Sequence, residues 1–112
     1  MDDCIFCKLA SHEIPTSVVY EDDFVFAFND MDPQAPVHFL VIPKEHISGA
    51  NKIDSSNSKL IAHIFEVIAK ICEEKGIESY RIVNNCGVDA GQSVPHLHFH
   101  VMGGREFGWP AG

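Results

Sequence analysis

The chain has 112 residues, 46% hydrophobic and 21% charged, the composition of a single globular domain, residues 1–112. A core of this size buries about two-thirds of the surface that the unfolded chain would expose. Sixteen acidic against 8 basic residues leave a formal net charge of -8, which repels DNA, RNA and anionic membranes at long range and argues against a nucleic-acid polymer or a membrane as partner. A mononucleotide remains open, because local imidazoles and backbone amides can hold a phosphate against the global field. Met1-Asp2-Asp3 opens with acids rather than a basic n-region, and no apolar run approaches the ~20 residues of a membrane span. The expectation is a cytoplasmic or nuclear protein.

In chain order, Cys4 to Ala10 reads as a short helical turn that Pro15 terminates. Val18 to Glu21 and Phe24 to Phe28 read as a hairpin across Asp22-Asp23, with Phe24, Phe26 and Phe28 on one face. Asp22, Asp23 and His12 read as solvated turn groups. After Pro33 and Pro36, His38 to Ile42 is a continuous apolar run stopped by Pro43, the pattern of a central strand buried on both faces. From Asp54 several N-cap candidates precede Leu60, Ile61, Ile64, Phe65, Ile68, Ile71 and Cys72, a helical stripe that Glu73-Glu74-Lys75-Gly76 ends. His63 falls off that stripe and reads as surface, and Cys72 as a core thiol. Ser79 to Val83 and His96 to Met102 supply two further strands. The fold class is α+β, an antiparallel sheet of about five strands with one long and one short helix.

The last strand carries the strongest signal. His96-Leu97-His98-Phe99-His100-Val101-Met102 sets three imidazoles at every second position, so on an extended chain all three face one way while Leu97, Phe99 and Val101 face the core. An imidazole can act as nucleophile, general acid or metal ligand near neutral pH, and three on one face mark a reaction centre. The preceding Asn85 to Pro95 holds two glycines, a proline and small polar residues, a loop able to turn its amides toward an anion.

With that loop attached, the strand resembles the histidine-triad (HIT) family, whose signature is His-x-His-x-His-x-x with apolar residues at x. The likeness is to its Hint branch, the nucleoside phosphoramidases. Gly91-Gln92-Ser93-Val94 before the triad, Gly103-Gly104-Arg105 after it, Trp109-Pro110-Ala111-Gly112 at the end, and upstream the run Asp30 to His46 and Ile5-Phe6-Cys7-Lys8 all contribute, so the resemblance covers nearly the whole chain. It implies hydrolysis of the P–N bond of adenosine 5′-phosphoramidates through a nucleotidyl-histidine, giving AMP and an amine. It also implies binding of a purine mononucleotide, AMP or GMP, with no organic cofactor.

Carried over residue by residue, the resemblance makes His98 the nucleophile, its other ring nitrogen donating to a main-chain carbonyl of the same segment, with His38 in support. On sequence alone, a satisfied core histidine reads equally well for His38. His100 and Asn85 would bind the nonbridging phosphate oxygens, together with backbone amides from Gly91 through Gln92 to Ser93, and Ser93 would hydrogen-bond the leaving amine. Asp30 matches the carboxylate that holds the ribose hydroxyls. Ile5, Phe6, Leu9, Phe28, Met31 and Leu40 match an apolar slot around the purine, although each is individually an ordinary core residue. Cys4-x-x-Cys7 is a two-thiolate half-site, and some family members complete a structural zinc site with histidines corresponding to His46 and His96. Cys86 has no assigned role. The resemblance further implies a two-fold homodimer in which Trp109 crosses to the partner.

Three other readings compete. His96, His98 and His100 could bind a catalytic metal together. The dinucleoside polyphosphate hydrolase branch of the family shares the nucleophile but not the leaving group. A nucleotide-sensing module would bind without relevant turnover.

Overall fold

A computed structural model describes residues 3–112; Met1 and Asp2, the first two residues of the acidic opening, lie outside the described residues. Five strands, β1 (Val18–Glu21), β2 (Val25–Asn29), β3 (Val37–Pro43), β4 (Tyr80–Val83) and β5 (Phe99–Gly103), form one antiparallel sheet in the order β1-β2-β3-β5-β4. Two helices, α1 (Ile5–Ala10) and α2 (Ser58–Glu74), accompany it, with short 3-10 turns at Ala50–Lys52 and Val88–Ala90. No described helix is long and apolar enough to cross a membrane.

Alternation of side chains along each strand divides the core into two layers. Val25, Ala27, Phe39, Val41, Leu97, Phe99 and Val101 pack with Ile64, Val67, Ile68, Ile71 and Cys72 of α2. Phe26, Phe28, Leu40 and Ile42 project from the opposite face and pack with Cys4, Phe6, Leu9 and Ala10 of the α1 segment. β3 is therefore buried on both faces, as its unbroken apolar run requires. The helical stripe differs from expectation at two positions. Val67 is buried where it was not foreseen, and Phe65 is 44% exposed, keeping only an edge-on contact with Phe99 at 5.4 Å.

The ends of the elements depart from the sequence reading in instructive ways. α1 stops before Pro15, because His12 takes a left-handed conformation (φ 67°) and the Glu13 amide folds back onto the Lys8 carbonyl. His12 is thus a helix-ending residue, with its ring against Phe26 and its Nε2 2.9 Å from Glu21, rather than a free turn group. Gly76 (φ 71°) ends α2 as expected, letting the Ile77 amide reach the Cys72 carbonyl.

Asp22 is no solvated turn residue. Its Oδ1 accepts the Phe24 and Val25 amides, and its Oδ2 accepts from Tyr20 and from His63 of α2 at 2.7 Å. His63 is correspondingly half-buried. The turn swings Phe24 out of line with Phe26 and Phe28, so that it stands 62% exposed with its edge toward His63.

The last strand also begins later than expected, at Phe99. Before it the His96 ring, rather than a strand amide, bonds the Pro43 carbonyl, and the Asn84 side chain takes the His98 carbonyl, so His96, at a bend, and His98 lie in a lead-in outside the ladder. β4 likewise starts at Tyr80, one residue later than expected.

Candidate active site

The register of β3 against β5 builds the site. Leu40 lies opposite His100 and His38 opposite Met102, so His38 and His100 are diagonal neighbours on the α1 face. His38 Nε2 is 2.9 Å from His100 Nδ1. His98 precedes them on the same face, its ring centroid 5.2 Å from that of His100 and 5.0 Å from that of Phe6. Leu97, Phe99 and Val101 face α2, so the alternation expected of the triad holds even where the strand has not begun.

Hydrogen-bond partners assign the tautomers. A carbonyl oxygen only accepts, so His98 Nδ1, 2.7 Å from the His96 carbonyl, carries the hydrogen and Nε2 keeps its lone pair. At His38 the Gln34 amide donates to Nδ1 at 3.0 Å, which leaves the hydrogen on Nε2. That hydrogen points at His100 Nδ1, so His100 carries its own on Nε2. Burial, followed by the charges that His98 and His38 would carry, lowers His100 to about 4 against a smaller opposing pull from Asp30. His100 is therefore a neutral donor at pH 7.

Asp30 closes the group. Its Oδ2 lies 3.3 Å from His38 Nε2 and 3.8 Å from His100 Nδ1, while Oδ1 accepts the Asp32 amide. Asp30, His38 and His100 cluster tightly enough to suggest a cation site, but the Nε2 hydrogen of His38 fills the approach and the Gln34 amide holds it there.

The triad divides between two clusters. His96 joins Cys4, Cys7 and His46, whose ligand atoms all lie within 4.8 Å of one another. His96 Nε2 donates to Pro43, so its Nδ1 lone pair faces Cys4 Sγ at 3.3 Å and Cys7 Sγ at 3.5 Å; His46 Nδ1 is 3.3 Å from Cys7 Sγ. The edges of a tetrahedral Cys2His2 zinc site run roughly 3.4–3.8 Å. Donor type, lone-pair direction and spacing all fit zinc, and the bond to Pro43 orients the ring as outer-shell partners of metal-bound histidines do. Burial and the adjacent Cys4 push the Cys7 thiol up, and a cation between the two thiols would reverse that. Among the described residues no metal-type cluster combines His96, His98 and His100, which removes the geometric basis for a catalytic metal on the triad.

The loop residues are less uniform than their motif suggests. Gln92 is fully engaged in bracing: its Nε2 donates to the Ser48 and Val94 carbonyls and its Oε1 accepts the Gly87 amide. Ser93 is exposed and lines a cleft of about 400 Å³ with Ile5, Cys4, His46, Ser48 and Val94. Gly91 has φ 92° and lies against Asn85, which is half-buried. Phe6, Leu9, Phe28 and Leu40 are in one buried cluster, whereas Ile5 is half-exposed and Met31 is 96% exposed. Asn84 and Gln34 were given no role from the sequence, and Arg105 only a place in the Gly103-Gly104-Arg105 motif, although each holds a residue of the site or of the loop behind it. Asn84 was legible as an amide ending a strand beside the triad. Gln34 acts through its backbone, which no side-chain pattern reveals.

Residues 3–107 match a family model described as the C-terminal binding region of the scavenger mRNA decapping enzyme. An uncharacterised HIT-like protein from Synechococcus elongatus is 45% identical over 99% of this chain and 98% of its own length. A 14 kDa zinc-binding protein from Zea mays is 41% identical over 96% of this chain and 87% of its own. Among solved structures, a HIT family hydrolase from Legionella pneumophila superposes with a TM-score of 0.96 at 44% identity, covering 98% of this chain and 100% of that one. A histidine triad protein from Clostridium difficile does so at 0.93 and 48%, covering 96% of each. The alternating histidines of the last strand and its lead-in, the fold and these likenesses together establish that the chain belongs to the histidine-triad family.

Proposed function

We propose that the protein is a Hint-type purine nucleoside phosphoramidase, hydrolysing the P–N bond of adenosine 5′-phosphoramidates to AMP and an amine. The observation that carries this reading is the 2.7 Å bond from His98 Nδ1 to the His96 carbonyl, which leaves an unprotonated Nε2 at the centre of the site. The likeness to a HIT family hydrolase from Legionella pneumophila supports a hydrolase in general.

In the first step His98 Nε2 attacks the α-phosphorus and a P–Nε2 bond forms as the P–N bond breaks. The departing amine takes up a proton from solvent, relayed through the Ser93 hydroxyl, which is reprotonated in the same relay. In the second step water attacks phosphorus, the P–Nε2 bond breaks and returns its electron pair to Nε2, and the attacking water's proton passes to solvent as AMP leaves. Dividing the displacement in this way replaces one difficult step with two easier ones. His100, as a neutral Nε2–H donor, with Asn85 and the Ser93 amide, would hold the nonbridging oxygens before charge develops on them, whereas the Gly91 and Gln92 amides, expected to join them, donate to the Val88 and Gly87 carbonyls at 3.0 Å and serve to fold the loop. Asp30 would accept from the ribose hydroxyls, and Phe6 with its apolar neighbours would flank the purine. Zinc, when held by Cys4, Cys7, His46 and His96, would supply a structural cross-link between α1 and the triad. A two-fold homodimer would cover the free edge of β4, and no organic cofactor is required.

The matched family model names a decapping enzyme, which favours keeping a dinucleoside polyphosphate as second reading. The test compares kcat/KM for adenosine and guanosine 5′-phosphoramidates, an acyl adenylate and a dinucleoside polyphosphate. The phosphoramidates should lead by at least about tenfold. A leading polyphosphate would transfer the protein to the other branch, and nucleotide binding without turnover would make it a sensor.

A further inference from the structure

We propose that Arg105 is a positioning residue of this reaction, acting through the Gln34 loop on the tautomers of His38 and His100. The identity of the reaction rests on the phosphoramidase reading above, whereas the tautomer relay rests on the hydrogen bonds alone.

The segment after β5 is pressed against the loop before β3. Gly104 has φ 92°, and a Cβ built there would lie 2.9 Å from Pro36 Cβ, an approach that only glycine permits. This places Arg105 over the loop, where Nε donates to the Gln34 carbonyl at 2.9 Å and Nη1 donates to Glu106 at 2.8 Å. The guanidinium lies over the Phe107 ring at 4.1 Å, and Arg81 lies 5.0 Å from the same ring while donating to the Gly108 carbonyl. Arg105 is thus fixed by its plane as well as its donors, a geometry that a lysine ammonium cannot reproduce.

From the residue it holds, the path to the site is short. The Gln34 amide donates to His38 Nδ1 at 3.0 Å, and His38 Nε2 donates to His100 Nδ1 at 2.9 Å. Asp30 Oδ2, 3.3 Å from His38 Nε2, also favours the hydrogen on that nitrogen, so the Gln34 amide and Asp30 act together; if the Gln34 amide drew away, only Asp30 would oppose a hydrogen on Nδ1. In that tautomer His38 Nε2 would present a lone pair to His100 Nδ1, and His100 would have to move its hydrogen to that side. Its Nε2, bare of hydrogen, would meet a phosphate oxygen as lone pair against lone pair. A surface arginine thereby biases, together with Asp30, whether the site offers the phosphate a donor or a repulsion.

The experiment reads the 15N shifts of the imidazole nitrogens of His38 and His100 in the whole protein, alongside steady-state kinetics with adenosine 5′-phosphoramidate. In wild type both rings should show the Nε2–H pattern. Arg105→Ala should shift both toward mixed tautomers and lower kcat about tenfold, and Arg105→Lys should not restore either. Gln34→Pro removes the donating amide while leaving the carbonyl that Arg105 holds, and it should give the same 15N change. Should Arg105→Ala fail to fold, Arg105→Lys and Gln34→Pro decide the matter. Unchanged 15N patterns in the folded variants overturn the proposal, whatever kcat does. A wild-type protein inactive on every phosphoramidate, with tautomers that still shift in Arg105→Ala, would overturn the functional reading and leave the relay standing.

Discussion

His63, in the second turn of α2, donates to Asp22 in the β1–β2 turn across 2.7 Å, joining that helix to the edge hairpin. Burial raises the Asp22 carboxyl, but the Phe24 amide, His63, the Val25 amide and Tyr20 together prevail and hold it at about 2. Its folded value is below the usual 3.8, so its contribution to stability is fully present above that pH and is lost as the pH falls toward 2. Asp22→Ala should cost roughly 0.5–2 kcal/mol at pH 7, the range for losing a side-chain cap over two backbone amides. It should also flatten the acid limb of the stability curve below pH 4, as followed by urea unfolding. A variant as stable as wild type would show that the bond contributes nothing net.

His100 gives a second, separate pH window. Its folded value of about 4 lies below the ordinary 6.5 of the unfolded chain. Between those values the unfolded state binds the proton and the native state does not, so stability falls as pH drops from about 6.5 to 4. The groups facing His100 are His98, His38 and Asp30. In His100→Gln the slope in that window should diminish, with the Asp22 window below it untouched. An identical slope in the variant would assign the proton uptake to other groups.

His98→Ala should lower kcat by at least about 10³-fold while nucleotide binding stays measurable by calorimetry, because the side chain supplies the bond-forming atom rather than most of the contact area. Rapid quenching of wild-type turnover should trap a nucleotidyl adduct on His98, visible by mass spectrometry. An adduct on a different side chain would move the nucleophile there.

Metal analysis should find zinc bound through Cys4, Cys7, His46 and His96. Removing it, or replacing Cys4 by Ser, should lower the melting temperature by several degrees while kcat at 25 °C falls far less. Chelation that abolished turnover and left the melting temperature alone would return the metal to the reaction centre.

Sedimentation should give a two-fold dimer at micromolar concentration. β4 leaves one sheet edge open, and Tyr80 on that strand and Phe65 on α2 are both substantially exposed. Trp109 is 86% exposed and free to reach a partner's site. Deleting residues 109–112, which spares the Arg105–Phe107 clamp, should change the preference among leaving amines more than the affinity for AMP. A fully active monomer would refute both the dimer and this role for the tail.

How much of this was legible in the sequence depended on how local each signal was. The sheet, α2 and the two-faced burial of β3 follow from periodicity, and the triad follows from alternation that survives even though its first half precedes the strand. What could not be read were relationships made by backbone groups far apart in the chain. Pro43 offers a carbonyl to His96 across 53 positions, and Gln34 presents an amide to a ring whose tautomer no pattern encodes. His63 looked like surface because it lies off the apolar stripe, but the turn that receives it sits beside α2 rather than above water. Gln92, expected to offer a backbone amide to the nucleotide, donates it to the Gly87 carbonyl, and its side chain ties the loop to Ser48. Cys4 and His96 could be paired only through the family likeness, since 92 residues separate them.

The segment to which the proposed chemistry is assigned is also the midrib of the molecule. Leu97, Phe99 and Val101 fill the core under α2 with their one face, while His98 and His100 serve the site with the other. The Phe99 and Val101 amides should therefore be among the slowest to exchange with solvent, opening only when the whole domain unfolds. Breathing of this strand is then unavailable as a route for nucleotide entry or product escape. On the proposed reaction, access is gated from the periphery, by the loop from Asn84 to Pro95 and the tail beyond Gly108; AMP should change exchange there by local ordering, while the β5 amides should slow only by the common factor that binding adds to global stability.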